Sequence, residues 1–328
     1  MSENGSLEIE IPFSFKLAMT YNQYMSIRPL AIFDLPYLYS FRDQAIGLDS
    51  ARTLTRGNPL GAVGLFAYVN PVRHIYSAIV NGDEESVLGG VIHSRNEPFA
   101  KLLFIAPSSQ LSHPELPKLI ESLSAQAGSW GAFHVLAEVD ETSEAFVSLR
   151  RAGFSVYAWQ RMWDVTEILA ADRSVEWMRV KPVHMPIVQS IYYQIVPPLL
   201  QPIEPQPKMA LGWLCNEGEK CYVSATQGVY GIVLSPLIHP EATDVGEKLA
   251  SLISNLPERR NRPVYVCVRS YQAWLEPVLA DLGAKGADRQ AVMVKHLAHM
   301  VKEGQTASAV PAVVSVQPSR VSQVNAKK

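Results

Sequence analysis

The stretch AEVDETSEAFVSLRRAGF, residues 137–154, combines the end of one strand, a complete helix and the start of another strand. Apolar residues before Asp140 predict a strand over 132–139, and the apolar spacing within 144–152 predicts a helix. Gly153 directly follows that helix, at a position where the backbone often turns left-handed. Phe154 then begins a strand that we expect to reach residue 165. This succession indicates a sheet with helices on its faces.

The residues before this stretch add antiparallel hairpins to the predicted sheet. Turn signals separate three predicted strands at 74–80, 86–93 and 101–106, and a helix is expected from about Pro114. A short strand at 26–30 and a helix at 33–43 come earlier. Residues 44–72 hold four glycines and two prolines and are predicted to be irregular, with at most a short helix.

The second half of the chain repeats this layout at a distance. His113-Pro114-Glu115 opens a helix in the first half, and His239-Pro240-Glu241 opens one in the second. A helix, a strand, a second helix, a glycine and a strand follow in both cases, and a repeat of this length indicates duplicated domains. Five prolines in 197–207 predict a stiff linker. We expect an α/β or α+β fold of two similar domains, each a mixed, partly antiparallel twisted sheet flanked by helices.

Four regions follow from these patterns. We predict an N-terminal arm, a first domain that is the candidate catalytic one, a second and degenerate domain, and a disordered tail, with the boundaries 1–25, 26–170, 171–302 and 303–328. The length of 328 residues and the 48% apolar and 18% charged content suit two globular domains.

Charge and cysteine content exclude several classes of protein. Lys and Arg number 29 and Asp and Glu number 31, so a generally basic nucleic-acid binder is not expected. Three cysteines without a CxxC pair cannot build a disulfide framework, and no metal site is expected. The N-terminus is acidic and lacks a continuous apolar stretch, so we expect a cytoplasmic protein without a membrane segment.

The opening stretch resembles the last strand, helix and strand of the GNAT family, the GCN5-related N-acetyltransferases. Ala145, Gly153 and Phe154 match the family motif, and the hairpins before them match in order. The resemblance covers about residues 25–165, and a weaker copy covers about 175–300. It implies two GNAT-like domains in tandem and the use of acetyl-CoA as cosubstrate.

The resemblance implies a particular slot for the cofactor. Two neighbouring parallel strands, here 101–106 and 132–139, would separate after Ala106, and their free backbone groups would bind the pantetheine arm. The start of the next helix would bind the pyrophosphate through the loop 107–115. The implied cofactor-binding residues are Phe104, Ile105, Ala106, Gln110, Ser112, His113 and Thr142.

The loop and the catalytic positions depart from the family pattern. The family has small residues, mostly glycines, in the phosphate loop, whereas this chain has His113 and Glu115 there. The family's usual tyrosine, which protonates the leaving thiolate, is replaced by Leu149 in the first copy and Leu279 in the second. Both copies are therefore degenerate in the residues that handle the cofactor.

Other side chains are candidates for the acid and base of acyl transfer. Tyr157 on the final strand is the candidate acid, and Glu138, Asp140 or His93 is the candidate base. Each has a plainer interpretation. Tyr157 could be a half-buried aromatic of the sheet, and Glu138 a solvated strand residue. Asp140 could be a helix cap, and His93 a surface histidine.

Two functions therefore remain open from the sequence. The first is an acyl-CoA-dependent N-acyltransferase acting on a small-molecule or peptide amine. The second is a catalytically inactive protein that keeps the duplicated fold and binds a ligand or partner.

Overall fold

The computed structural model describes eight stretches of the chain, and all structural statements refer to them. They are residues 27–69, 73–81, 86–95, 97–168, 176–207, 212–215, 220–257 and 259–297. The predicted N-terminal arm (1–25) and the predicted tail (303–328) lie outside the described residues.

Within the described residues, the first half contributes seven strands and five α-helices. The strands are β1 (Ile27–Leu30), β2 (Ile46–Gly47), β3 (Arg73–Asn81), β4 (Ser86–Ser94), β5 (Phe99–Ala106), β6 (His134–Asp140) and β7 (Ser155–Asp164). The helices are α1 (Leu35–Ser40), α2 (Ser50–Arg56), α3 (Ala62–Leu65), α4 (Leu116–Ser129) and α5 (Glu144–Arg151).

The second half contributes six strands and three α-helices within the described residues. The strands are β8 (Trp177–Arg179), β9 (Gly212–Cys215), β10 (Cys221–Gln227), β11 (Ile232–Ile238), β12 (Val264–Arg269) and β13 (Lys285–His296). The helices are α6 (Met185–Ile195), α7 (Val245–Ser254) and α8 (Leu275–Asp281).

All the strands of the described residues belong to one mixed sheet that runs through both halves. Its order is β1-β3-β4-β5-β6-β13-β7-β12-β11-β10-β9-β8, and β2 pairs with β5 beside this path. The order reads the same from both ends when β1, β3, β4, β5, β6 and β7 are matched to β8, β9, β10, β11, β12 and β13. The predicted duplication and the predicted fold class are confirmed.

The last strand of each half lies in the sheet of the other half. β13 lies between β6 and β7, and β7 pairs with β12. The strands β1 to β6 are thus completed by β13, and the strands β8 to β12 are completed by β7. The predicted boundary near residue 170 remains a prediction, because the pairing of strands crosses it.

Local sequence explains the elements that surround the central strands. The apolar residues of α4 recur at helical spacing and are all buried: Leu116, Leu119, Ile120, Leu123 and Ala127. Gly153 and Gly283 each follow a helix with positive φ, +87° and +84°, where a residue with a Cβ would be strained. The helices α4 and α5 share one core with one face of the sheet, and α1 covers the opposite face.

Two segments differ from their predictions in ways that bear on the site. Residues 44–72 contain the strand β2 and the helices α2 and α3 within the described part, rather than an irregular loop with at most one short helix. The early sheet of the second half includes β9, which the sequence analysis missed. The proline-rich stretch 197–207 is more than a linker, because Ile203 and Glu204 are buried.

Candidate functional site

The parallel strands β5 and β6 separate part of the way along their length. They pair only over Phe99–Lys101 and His134–Leu136. Beyond that point, β5 stays paired with β4 as far as Ala106, and β6 stays paired with β13 as far as Asp140. The strands diverge, as the resemblance implies, but they do so after Lys101 and not after Ala106. We call the space between them the first fork.

The chain's own residues 46–48 lie in the first fork. Ile46 and Gly47 pair antiparallel with Ile105 and Phe104 on β5. The Leu48 N–H donates to the Leu103 carbonyl at 3.0 Å, and the Leu48 carbonyl accepts from the Glu138 N–H at 2.8 Å. Leu48 therefore joins the two diverging strands through its backbone. Because strand addition needs an unpaired edge, the edge of β5 here is already used.

Packing and electrostatics hold this segment in place. The Leu48 side chain is 1% exposed and belongs to the main core of the first half. Asp49 caps α2 by accepting from the Arg52 N–H at 3.2 Å, and it forms an ion pair with Lys101 on β5 at 3.1 Å. The Ser50 N–H donates to a Glu138 carboxylate oxygen at 2.8 Å. The segment is thus bonded to both walls of the fork.

The loop implied to bind pyrophosphate is occupied by its own hydrogen bonds. The Glu115 N–H donates to Nδ1 of His113 at 3.1 Å, and the Leu116 N–H donates to the His113 carbonyl at 3.1 Å. Pro117, the second residue of α4, has no N–H. The Glu115 side chain is buried at this helix start and pairs with Lys118 at 2.8 Å. A carboxylate therefore stands where the resemblance implies a phosphate, and the same helix dipole would attract both.

The second half contains an equivalent fork between β11 and β12. These strands pair in parallel only over Ile232–Leu234 and Val264–Val266. The side chain of Gln272 then fills the space, because its amide NH₂ donates to the Pro236 carbonyl at 2.8 Å and its carbonyl accepts from the Ile238 N–H at 2.9 Å. Gln272 is 1% exposed. We call this space the second fork.

The two forks use the same position of the strand. Leu103 lies four residues after Phe99, the first paired residue of β5, and Pro236 lies four residues after Ile232, the first paired residue of β11. Both carbonyls accept a hydrogen bond from the chain itself. The repeat extends to the loops, because the Glu241 N–H donates to Nδ1 of His239 at 3.2 Å, as Glu115 does to His113.

A buried polar network lies beside the first fork and joins residues of both halves. Glu138 accepts from Ser50 and lies 3.8 Å from the guanidinium of Arg269 at the end of β12. Arg269 pairs with Glu204 at 2.8 Å, and Tyr157 donates to Glu204 at 2.7 Å. Two of the predicted catalytic residues, Glu138 and Tyr157, are therefore connected, but through side chains that were not predicted.

The remaining members of this network connect it to β7 and β13, the strands that each half contributes to the sheet of the other half. Tyr271 donates to Glu204 at 2.8 Å, and Arg269 also donates to Gln160 on β7. Gln160 donates to Gln290 on β13 at 2.9 Å, and the Ser50 hydroxyl donates to the same Gln290 oxygen at 2.8 Å.

Burial and neighbouring charges shift the pKa values of this network. Burial lowers the pKa of Arg269, but Glu204 and the other acidic neighbours outweigh it, so the net pKa lies well above its ordinary value. Burial raises the pKa of Tyr157 well above its ordinary value, and Glu204 adds to that rise. Burial likewise lowers the pKa of Lys101, but Asp49 and Glu138 outweigh it and the net shift is upward. The arginine, the lysine and the phenol therefore all keep their protons at neutral pH.

The other predicted site residues lie outside this network or at its exposed edge. Asp140 ends β6 in an exposed position and accepts from Gln290 at 2.8 Å. Ser112 and Thr142 are exposed, and Gln110 lies in a short 3-10 turn before α4. His93 is buried and does not lie on the surface. Its Nε2 hydrogen-bonds to the Glu97 carbonyl at 2.9 Å.

The leucines at the family's tyrosine positions are fully buried. Leu149 on α5 and Leu279 on α8 are both 0% exposed and pack in the two main cores. Neither can donate a proton to a leaving thiolate. Tyr157 directs its hydroxyl to Glu204, so its proton is already engaged.

Sequence reasoning missed the residues that close the forks and hold the network. Leu48 and Ser50 lie in the segment predicted to be irregular, Glu204 lies in the predicted linker, and Arg269 ends a strand. Gln272 ends a short 3-10 turn between β12 and α8. One feature of the sequence could have indicated a buried role for Glu204: it is an acidic residue within an apolar, proline-rich stretch.

Groups of three metal ligands and membrane spans are not found among the described residues. Among the described residues, no group of three or more His, Cys, Asp or Glu side chains could hold a metal ion. None of the helices in this part of the chain has the length and apolar character needed to cross a membrane. Cys215, Cys221 and Cys267 are free and buried.

The comparisons with known proteins agree with this geometry at the level of the fold. The sequence matches no protein-family model and no curated protein. Among solved structures, a GCN5-related N-acetyltransferase from Sphaerobacter thermophilus is similar with a TM-score of 0.52 and 12% identity, over 84% of this chain and 96% of that one. A tandem GNAT protein from the clavulanic acid biosynthesis pathway is similar with a TM-score of 0.50 and 13% identity, over 84% of this chain and 99% of that one. The chain thus has the fold of the GCN5-related N-acetyltransferases in its tandem form.

Proposed function

We propose that this chain is a non-catalytic protein that uses the duplicated GNAT fold to bind a ligand or partner, without acyl-CoA in either fork. One observation carries the proposal: the equivalent carbonyls of Leu103 and Pro236 both accept hydrogen bonds from the chain itself. Those carbonyls lie on the edges that would have to be free for a pantetheine arm to add as a strand.

Two further features support the same conclusion. The start of α4 presents the buried carboxylate of Glu115 where a pyrophosphate would need positive charge. The positions that carry the proton-donating tyrosine in the family are the buried leucines Leu149 and Leu279. Binding of the cofactor, neutralisation of its phosphates and protonation of its thiolate are therefore each unsupported by the chain.

Isothermal titration of the full chain with acetyl-CoA tests this proposal. We expect no saturable heat up to millimolar ligand. The same titration of Gln272→Ala, with Gln194→Ala as a matched control at an exposed glutamine, asks whether the second fork accepts the ligand once the side chain is removed. Saturable binding of one acetyl-CoA per chain to the unaltered protein, abolished by substitutions in a fork, would overturn the proposal.

An acyl-CoA-dependent N-acyltransferase is the second candidate function, supported by the fold and by the connection between Glu138 and Tyr157. In such an enzyme Glu138 would take the proton of an amine acceptor, and Tyr157 would protonate the thiolate of the leaving coenzyme. Residues 46–48 would first have to leave the first fork. The acceptor would be a small-molecule or peptide amine, with no metal, nucleic acid or membrane taking part.

Release of free thiol from acetyl-CoA distinguishes the two candidates. With spermidine, kanamycin and a peptide bearing a free N-terminus as acceptors, the non-catalytic proposal predicts no thiol above the background of the buffer. Thiol release that depends on an acceptor and is lost in both Glu138→Gln and Tyr157→Phe would establish the enzyme instead.

A further inference from the structure

Two histidines face each other across the neighbouring strands β6 and β13. His134 is the first residue of β6, and it is paired with His296, the last residue of β13. Their Nδ1 atoms are 3.1 Å apart. The ring centroids are 4.9 Å apart and the ring planes are perpendicular, so the contact is made by nitrogen atoms and not by stacked faces. We call His134 and His296 the histidine pair.

The backbone explains why the histidine pair is so close. The Leu297 N–H donates to the Phe133 carbonyl at 2.9 Å, and the Glu141 N–H donates to the Arg289 carbonyl at 3.2 Å, at the two ends of an unbroken register. Hydrogen-bonded and non-hydrogen-bonded pairs alternate along antiparallel strands, so the histidine pair occupies a non-hydrogen-bonded position. Opposed side chains are closest at such positions. The pairing of β6 with β13 therefore holds the two rings together.

The surroundings of the histidine pair are apolar on one side and open on the other. The next pair on the same face of the sheet is Leu136 and Val294, which are buried in a small core with Ile203. His134 is partly exposed and His296 is exposed. Solvent can therefore reach the histidine pair, which leaves room for an ion and its water ligands. The first fork opens at the other end of the paired stretch, after Leu136.

We propose that the histidine pair binds a divalent transition-metal ion, with water completing its coordination. Imidazole nitrogens are ligands that suit Zn²⁺, Cu²⁺ and Ni²⁺. At the usual metal–nitrogen distance of about 2.0–2.1 Å, two nitrogens 3.1 Å apart subtend about 95–102° at the ion. That angle lies between the about 90° of square or octahedral coordination and the about 109° of a tetrahedron. The two Nδ1 atoms thus already have the spacing of adjacent ligands of one ion.

The position of one proton distinguishes the two states of the histidine pair. Without an ion, the 3.1 Å spacing suits an N–H···N hydrogen bond, in which one neutral ring carries its proton on Nδ1. An ion needs the lone pairs of both Nδ1 atoms, so the proton of that ring moves to its Nε2. Both rings of the metal-bound pair are then protonated at Nε2 alone.

An ion at this place would join the two halves of the chain. β13 comes from the second half and pairs with β6 of the first half. The ion would fix the end of β13 where the Leu297 N–H makes its bond to Phe133. The inference goes beyond the proposed function, because it names a metal ligand at a place that neither candidate function uses.

Isothermal titration of the full chain with zinc chloride, in a buffer that does not bind metal, tests the site. We expect saturable binding of one Zn²⁺ per chain. His134→Gln and His296→Gln should each weaken it by about tenfold or more, since each removes one of two protein ligands. His184→Gln is the matched control and should bind as the unaltered chain does, because the Nδ1 of His184 already accepts from the Lys181 N–H. Magnesium chloride should give no saturable heat, because Mg²⁺ prefers oxygen ligands.

Nitrogen-15 NMR of the histidine rings tests the same site without a substitution. In the zinc-saturated chain both rings should be protonated at Nε2 alone, and the Leu297 amide should exchange more slowly than in the metal-free chain. Three outcomes would overturn the proposal. They are no saturable binding of Zn²⁺ by the unaltered chain, binding that is as tight in both His134→Gln and His296→Gln, or a ring of the pair that keeps its proton on Nδ1 at saturating Zn²⁺.

Discussion

The two forks are closed by different means, although they occupy equivalent positions in the sheet. In the first fork a stretch of main chain lies between the strands, and Leu48 bonds to both. In the second fork one side chain, that of Gln272, bonds to the Pro236 carbonyl and the Ile238 N–H of a single strand. The first fork is therefore closed by a short strand and the start of a helix, whereas the second fork is closed by a single side chain.

This difference indicates how much structure must move for each fork to open. Opening the first fork requires removing Leu48 from the core and breaking the contacts of Asp49 and Ser50 with its two walls. Opening the second requires only that Gln272 turn away and leave its two partners to water or to a ligand. The second half, which the sequence marks as the more degenerate copy, therefore has the more easily opened fork.

The largest loss of stability is expected from a change in the buried polar network that the two halves share. Glu204→Ala removes the partner of Arg269 and the acceptor of Tyr157 and Tyr271, and leaves a buried guanidinium short of negative charge. We expect a loss of about 3–5 kcal/mol in the free energy of unfolding, measured by chemical denaturation.

The matched control for that variant is a salt bridge at the surface. Glu141→Gln breaks the pair with Arg289, whose two side chains are 40% and 49% exposed, and should cost about 0–1 kcal/mol. Equal losses in Glu204→Ala and Glu141→Gln would show that the network does not stabilise the junction of the halves.

The next largest effect is expected in the first fork. Leu48→Ala leaves the backbone bonds possible but removes a side chain that is 1% exposed, so we expect a loss of about 2–5 kcal/mol. Leu199→Ala, at a leucine that is 87% exposed, is the control and should change the free energy of unfolding by less than about 0.5 kcal/mol. A Leu48→Ala protein as stable as its control would mean that the segment does not occupy the fork in solution.

A smaller effect is expected in the second fork. Gln272→Ala leaves the Pro236 carbonyl and the Ile238 N–H without their partner, which should cost about 1–3 kcal/mol. The comparison of the forks predicts that this loss is smaller than that of Leu48→Ala in the same denaturation experiment. The reverse order would contradict our description of the first fork as the more firmly closed.

The smallest change in stability at neutral pH is expected from the ionisation of the tyrosines in the network. Burial raises the pKa of Tyr157 and of Tyr271, with Glu204 adding to the rise, so both phenols stay neutral in the folded state. In the unfolded chain tyrosine ionises near pH 10. Stability should therefore be unaffected by these groups below about pH 10 and should fall as the pH rises above it.

Melting temperatures between pH 8 and pH 11 check this dependence. Tyr271→Phe should lower the melting temperature at pH 8, because it removes the hydrogen bond to Glu204, and should make the decrease above pH 10 less steep. A slope that is the same in Tyr271→Phe and in the unaltered chain would indicate that this phenol does not stay neutral in the folded state.

The strands and helices with strong local signals could be predicted from the sequence. The apolar periodicity of residues 116–127 marks α4, and the glycines after α5 and α8 mark their ends at positive φ. The repeated His-Pro-Glu turns identified the duplication. In both copies the structure explains them in the same way, through a histidine that accepts from the glutamate N–H.

The closure of the forks could not be predicted, because it depends on contacts between residues far apart in the chain. Leu48 contacts Leu103 and Glu138, and nothing in its own neighbourhood distinguishes it from a loop residue. The exchange of β7 and β13 was hidden for a related reason. An apolar strand carries no sign of which strand it will pair with, only that it will be buried.

Hydrogen exchange at single amides, followed by NMR, tests the central claim that the chain itself fills the first fork. The account predicts that the Leu48 and Glu138 amides exchange as slowly as those in the core strand β4, and that adding acetyl-CoA leaves both rates unchanged. Exchange of the Leu48 amide at the rate of an exposed loop, or a change in its rate when acetyl-CoA is added, would contradict it.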